Sequence, residues 1–103
     1  MAYKVVSEIN NTSGTTFATY DEFAAWYYEE THTANEEKIG QLISNDWTTF
    51  NNITVTNTWD ADRQVATKIR LFTDLTHYNE VKALYETAGI SKPLETIVEE
   101  VEI

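Results

Sequence analysis

The chain has 103 residues, no cysteine and a formal net charge of −10 at pH 7. Its length fits a single domain, residues 1–103, and 42% hydrophobic residues supply a core. The absence of cysteine excludes disulfides, thiol catalysis and Cys-based zinc sites. The negative charge disfavours binding to nucleic acid or to an anionic membrane. With no signal peptide and no membrane-spanning apolar run in the sequence, we expect a soluble, cytoplasmic protein.

The first half of the chain predicts one strand and then a long helical region. Residues 3–9 alternate between apolar and polar side chains, which is typical of a half-buried strand, and turn-forming residues follow them. Two capping boxes, which start at Thr19 and at Thr33, indicate helix starts within residues 20–46. This region is therefore either one long helix or two helices, and the second capping box favours two.

The second half predicts an antiparallel hairpin, a helix and a last strand. Residues 50–59 and 63–72 each alternate, and a short polar turn joins them. A cap at Thr73 or Asp74 starts a helix that ends at a glycine. The alternating tail, residues 94–103, predicts a strand at an edge of the sheet, where its glutamates discourage unwanted pairing.

The second strand of the hairpin has one aliphatic and one basic face. Lys68 and Arg70 are two positions apart and share a face, so that with Arg63 they form the one candidate basic patch. The opposite face carries mainly aliphatic side chains, including Ile69 and Leu71. We expect the aliphatic face to contact the helices and the basic face to lie in solvent.

The order of elements, β-α-β-β-α-β, predicts an α+β fold of the ferredoxin-like type, with an antiparallel sheet that carries its helices on one face. This plan, with a helix over Tyr78–Glu86 after the hairpin, resembles the dimeric α+β barrel superfamily. The resemblance implies a homodimer in which two sheets pack face to face. The acidic, cysteine-free composition, rich in Asn, Thr and Tyr, resembles that of small tailed-bacteriophage proteins, which implies expression in the cytoplasm of a bacterial host.

The sequence contains no motif typical of catalysis, metal binding or nucleotide binding. Asp60-Ala61-Asp62 lacks the glycine and the distant glutamate of a calcium loop, and we interpret it as a turn. The two histidines, His32 and His77, lie in separate segments, His32 near the expected helix break. We therefore predict no catalytic residue, no metal and no cofactor, and we do not expect an enzyme.

Three functional hypotheses follow. The first is a non-enzymatic interaction or assembly module, a homodimer with an interface at Trp26 and Tyr28, because one helix face cannot bury all its aromatic side chains. The alternative is a cofactor-free small enzyme or small-molecule binder, with Trp59, His77 and Tyr78 lining a pocket between sheet and helices. The third is an acidic mimic of nucleic acid that inhibits a host protein.

Overall fold

A computed structural model of the protein describes residues 1–31 and 33–103. His32, near which the sequence predicts a helix break, lies outside the described residues. The described residues form an α+β fold with four strands and four α-helices. In chain order the elements are β1 (Tyr3–Asn10), α1 (Tyr20–Trp26), α2 (Thr33–Asn45), α3 (Trp47–Phe50), β2 (Thr54–Asp60), β3 (Val65–Phe72), α4 (Leu75–Ala88) and β4 (Glu95–Glu102). A π-helical turn, Tyr27–Thr31, follows α1 directly.

The four strands form one antiparallel sheet in the order β2-β3-β1-β4. β2 and β3 pair as the predicted hairpin, with Asp60 opposite Val65 at the turn. β1 lies between β3 and β4, so that β4 is an edge strand, as its alternating glutamates indicated. The pairing of β1 with β4 shifts between Val6 and Ser7, which leaves one extra residue in β4.

Local side-chain chemistry sets the helix ends at predicted positions. The Thr19 hydroxyl accepts a hydrogen bond from the backbone N–H of Glu22 at 3.3 Å, and the Asp74 carboxylate accepts one from the N–H of His77 at 2.8 Å. Gly89 ends α4 in the left-handed conformation, with φ of 70°, which costs glycine least. None of the helices in the two described ranges is long and apolar enough to cross a membrane.

The helices cover one face of the sheet and bury two groups of apolar side chains there. The first group is Val5, Phe50, Phe72, Tyr78 and Val81, and the second is Ile9, Phe23, Tyr27 and Ala66. Burial of a large apolar side chain contributes about 1.5–3 kcal/mol, so these groups hold the helices on the sheet. Between the two groups the same face carries Ser7 and Lys68, which are both buried.

The expected orientation of β3 is wrong. The register pairs Ser7 with Lys68 and Val5 with Arg70, so the basic side chains of β3 point towards the helices. Ile69 and Leu71 point to the opposite face. The physical reason is that Ala66 and Phe72 fill the apolar groups at the two ends of β3, while the Lys68 ammonium between them meets the buried Glu95 carboxylate.

The predicted start of β2 is also wrong. Phe50 belongs to α3, where its ring is buried, and the strand begins at Thr54 after a turn. Two asparagines, at positions 51 and 52, separate these elements, and asparagine favours turns because its side chain bonds to nearby backbone. The threonines of β2 are exposed, as the alternation indicated.

Candidate functional site

The buried carboxylate of Glu95 is the centre of a polar cluster between the sheet and the helices. Its side chain is only 7% exposed. One oxygen lies 3.4 Å from the Lys68 ammonium. The other lies 3.5 Å from the Lys92 ammonium and accepts a hydrogen bond from the Tyr27 hydroxyl at 3.1 Å. A buried carboxylate requires such partners, because an unpaired charge in the interior costs several kcal/mol.

Two features of the backbone bring these side chains together. Ser7 of β1 is paired with Lys68, and the small serine side chain lets the lysine reach across β1 towards β4. On the helix side, the π-helical turn is wider than an α-helical turn and changes which residues face the sheet. Tyr27 and Tyr28 both point inward there, with ring centroids 4.9 Å apart in an edge-to-face arrangement.

The crowded charges shift the pKa values of the cluster. Burial lowers the pKa of the Lys68 ammonium to about 8, and the positive charges of Lys92 and Arg70 act in the same direction against the pull of Glu95. Burial raises the pKa of Glu95, but the three cations and the hydrogen bond from Tyr27 outweigh it, so that this pKa lies below its ordinary value. At neutral pH three cations therefore surround one buried carboxylate. We call Lys68, Arg70 and Lys92 the basic cluster.

Arg70 is the member of the basic cluster without a carboxylate partner. Among the described residues, no carboxylate oxygen lies within 4.0 Å of its guanidinium nitrogens, and its buried Nε–H has no hydrogen-bond acceptor. Its guanidinium carbon lies 5.4 Å from the centroid of the Phe72 ring. Glu100 lies across β1 from Arg70, but it is exposed and accepts a hydrogen bond from the Tyr78 hydroxyl.

Two cavities meet at the basic cluster, and Arg70, Tyr85 and Lys92 line both. The α2 cavity, about 290 Å³, lies between α2 and the strands β2 and β3, and Lys68 also lines it. The α4 cavity, about 230 Å³, lies between α4 and the strands β1 and β4. The Lys92 ammonium lies 5.2 Å from the centroid of the Tyr85 ring, so that these two side chains stand together where the cavities meet.

The residues predicted for an interface are both half-buried. Trp26 packs against Phe17 and Phe23, with ring centroids 6.3 and 5.8 Å apart. Tyr28 lines the α2 cavity, and burial raises the pKa of its hydroxyl. The interface role of these two residues stays a prediction.

The three residues predicted to line one pocket lie in different places. Tyr78 lines the α4 cavity. Trp59 stacks on Phe23 at 4.7 Å, in the apolar group at the other end of β3. His77 is buried at the start of α4, where Nδ1 accepts a hydrogen bond from the Thr73 N–H at 3.1 Å and the Nε2 N–H donates one to the Thr49 carbonyl at 2.5 Å. The structure therefore does not bring these three residues together.

The sequence named two members of the basic cluster but assigned them to solvent, and it missed Lys92 and Glu95. The sequence does contain a signal of this cluster, which is a row of polar residues that runs across three strands of the sheet. Asn57, Lys68 and Ser7 are cross-strand neighbours, and Asn57 and Ser7 each interrupt an otherwise apolar face of their strand. Such a polar row on three strands indicates a polar interior.

The face of the sheet opposite the helices, which we call the open face, carries aliphatic side chains in its middle. Val6 is the neighbour of Ile69, and Leu71 and Val101 flank Lys4. Val101 is 39% exposed and the other three aliphatic side chains are half-buried. Lys4 lies between Leu71 and Val101 and forms an ion pair at 2.8 Å with Glu99, which is the cross-strand neighbour of Val6.

Comparison with known proteins gives no match, whether with protein-family models, with curated protein sequences or with solved structures.

Proposed function

We propose that the protein is a non-enzymatic binding domain that holds a small anionic ligand between its sheet and its helices. The unpaired guanidinium of Arg70 is the observation that carries this proposal. Arginine stays charged at any physiological pH, and a buried N–H without an acceptor costs about 1–3 kcal/mol. Arg70 also lines both cavities, where its guanidinium can hold a carboxylate or phosphate group by two parallel hydrogen bonds.

The surroundings of Arg70 favour the same ligand. Lys68 and Lys92 share the single buried carboxylate of Glu95, so the basic cluster has a local excess of positive charge. The net charge of −10 repels anions at long range, but at physiological salt this repulsion is screened beyond about 8 Å. The local cluster therefore decides which ion is held at Arg70.

Binding rather than catalysis is the activity that this arrangement supports. The acid–base groups next to Arg70 are engaged with one another, as Glu95 is with Lys68, Lys92 and Tyr27. A general base needs a free acceptor within reach of a substrate proton. Glu95 has its oxygens committed to three donors and is poorly suited to that role.

Isothermal titration calorimetry with sodium acetate, sodium phosphate and sodium octanoate, each titrated alone, tests this function. We expect at least one of the three to bind, and Arg70→Met to weaken that binding at least tenfold, or about 1.4 kcal/mol. Arg63→Met is the matched control, because the Arg63 side chain is 62% exposed and lies outside the cluster. Binding of none of the three anions, or an equal loss in both variants, contradicts the proposal.

A second function, self-association, is favoured by the open face. Four strands of up to eight residues form a face of about 19 by 26 Å, so two such faces bury roughly 1,000 Å², the lower limit for a specific interface. We propose that a second copy of the chain covers it, with the Lys4–Glu99 pairs of the two copies within the interface. The strand order supports the ferredoxin-like plan of the dimeric α+β barrels, although the three consecutive helices between β1 and β2 depart from it.

Sedimentation equilibrium over a range of concentrations tests self-association. Ile69→Lys places a charge in the middle of the open face, so we expect the variant to remain a monomer where the native protein forms a dimer. Leu75→Lys is the control, because Leu75 is exposed at the start of α4 on the other side of the sheet. A native protein that is monomeric at high concentration, or a dimer that Ile69→Lys leaves intact, contradicts this proposal.

A further inference from the structure

One wall of the α2 cavity is apolar and begins beside Arg70. The wall consists of Ile39, Ile43, Phe50, Ile53 and Val55. Val55 is the direct cross-strand neighbour of Arg70, and such neighbours have Cβ atoms about 5 Å apart. A ligand whose charged end meets the guanidinium therefore has apolar surface within reach of its next few atoms.

The size of the α2 cavity sets the size of that ligand. The volume of about 290 Å³ holds on the order of ten non-hydrogen atoms, taking about 30 Å³ for each water-sized group. Acetate or phosphate fills only part of this space and leaves the apolar wall in contact with water. Each methylene group that covers the wall instead raises the affinity about fourfold.

The charges around the cavity favour a single negative charge on the ligand. Lys68 and Lys92 already share Glu95, whereas Arg70 has no carboxylate partner among the described residues. Glu36 also lines the α2 cavity, at an exposed position where it offsets part of the remaining positive charge. One anionic group at Arg70 then neutralises the remaining positive charge of the site.

We infer that the ligand is a monocarboxylate of about eight carbon atoms, held with its carboxylate at Arg70 and its apolar body along the apolar wall of the α2 cavity. This inference rests on the proposed anion-binding function and narrows it to one class of ligand. Tyr28 and Tyr85 also line this cavity and, with Phe50, supply the aromatic part of its lining.

Calorimetric titration of the native protein with octanoate, acetate, phosphate and octan-1-ol tests the inference. We expect octanoate to bind at least a hundredfold more tightly than acetate and at least tenfold more tightly than octan-1-ol, which has the apolar body without the charge. Ile43→Gln puts an amide on the apolar wall and should weaken octanoate binding at least tenfold. Ile90→Gln is the matched control, because Ile90 lines the α4 cavity and should leave the affinity unchanged.

The outcomes distinguish a failure of this inference from a failure of the proposed anion-binding function. Acetate or phosphate that binds at Arg70 as tightly as octanoate overturns the inference and leaves the anion-binding function standing. Loss of octanoate binding in Ile90→Gln but not in Ile43→Gln overturns the placement of the apolar body. No binding by any of the anions, or octan-1-ol that binds as tightly as octanoate, overturns the proposed function itself.

Discussion

Replacing Arg70 by methionine is expected to stabilise the protein while it removes the response to anions. Methionine keeps most of the apolar stem of arginine and is flexible enough to fill the space that the stem occupies. The change removes a buried N–H that has no acceptor in the described residues. It does not break an ion pair, since no carboxylate of those residues lies within 4.0 Å of the guanidinium.

The magnitude follows from two opposing contributions. Removal of the unsatisfied donor raises the free energy of unfolding by about 1–3 kcal/mol. Loss of the contact between the guanidinium and the Phe72 ring, at 5.4 Å, lowers it by about 0.5–1 kcal/mol. The net gain is about 0–2.5 kcal/mol, and each kcal/mol raises the melting temperature of a domain of this size by about 4–8 °C.

Urea unfolding followed by tryptophan fluorescence measures this change at neutral pH. The Arg63→Met control should stay within about 0.5 kcal/mol of the native protein, because the exposed Arg63–Glu8 pair, at 3.7 Å, contributes little. A decrease in the free energy of unfolding of more than about 1 kcal/mol in Arg70→Met would refute the reasoning, since it would mean that Arg70 stabilises the fold in the absence of a ligand.

Three further changes test other contacts of the site. Glu95→Gln removes the buried carboxylate, so the free energy of unfolding at pH 7 should fall by about 3 kcal/mol and the affinity for anions should rise. The cations lower the pKa of Glu95 in spite of its burial, so its contribution to stability is present above pH 4.5 and is lost on acidification. A variant whose acid-unfolding curve is as steep as that of the native protein would contradict this. Lys68 has a folded pKa of about 8 against 10.5 in the unfolded chain, so the unfolded chain binds more protons than the native protein between these pH values. The free energy of unfolding measured in urea should therefore rise from pH 8 to 10, and above pH 10 the ionisation of tyrosines reverses the trend. An equal rise in Lys68→Met would contradict a buried Lys68. His77→Ala leaves the Thr73 N–H and the Thr49 carbonyl unpaired and should lower the free energy of unfolding by about 2–3 kcal/mol. The affinity for anions, measured by calorimetry, should stay unchanged. A loss of affinity would assign His77 to the anion site.

Features that depend on neighbours in the chain followed from the sequence. The hairpin of β2 and β3, the cap at Asp74 and the left-handed Gly89 each depend on a few consecutive residues, whose backbone preferences do not need the rest of the fold. Their alternation and capping chemistry therefore predicted the hairpin and both ends of α4, although β2 begins later than its predicted start.

The orientation of β3 could not be predicted in the same way. Hydrophobicity alone assigns Ile69 and Leu71 to the interior, because they are more apolar than Lys68 and Arg70. What decides the orientation is the partner of Lys68, Glu95, which is 27 residues further along the chain and reaches the lysine only when β1 separates β3 from β4. Pairwise burial of opposite charges is a property of the assembled sheet and leaves no local periodicity.

The inward position of Tyr28 has a similar explanation. A helical period of 3.6 residues spreads Trp26, Tyr27 and Tyr28 over about 200° of the helix surface, so one helix face is not expected to bury all three. The π-helical turn Tyr27–Thr31 widens the helix locally and turns both rings inward. Such turns occur often at functional sites, and here the turn supplies one side of the cavity at the basic cluster.

The most direct test of an anion site at Arg70 is the NMR resonance of its Nε–H during titration with octanoate. We predict that this resonance moves strongly as a carboxylate binds the Arg70 guanidinium, and that the Nε–H of the exposed Arg63 does not. An Arg70 Nε–H that stays unchanged at saturating octanoate, or one that moves no more than that of Arg63, would contradict the account.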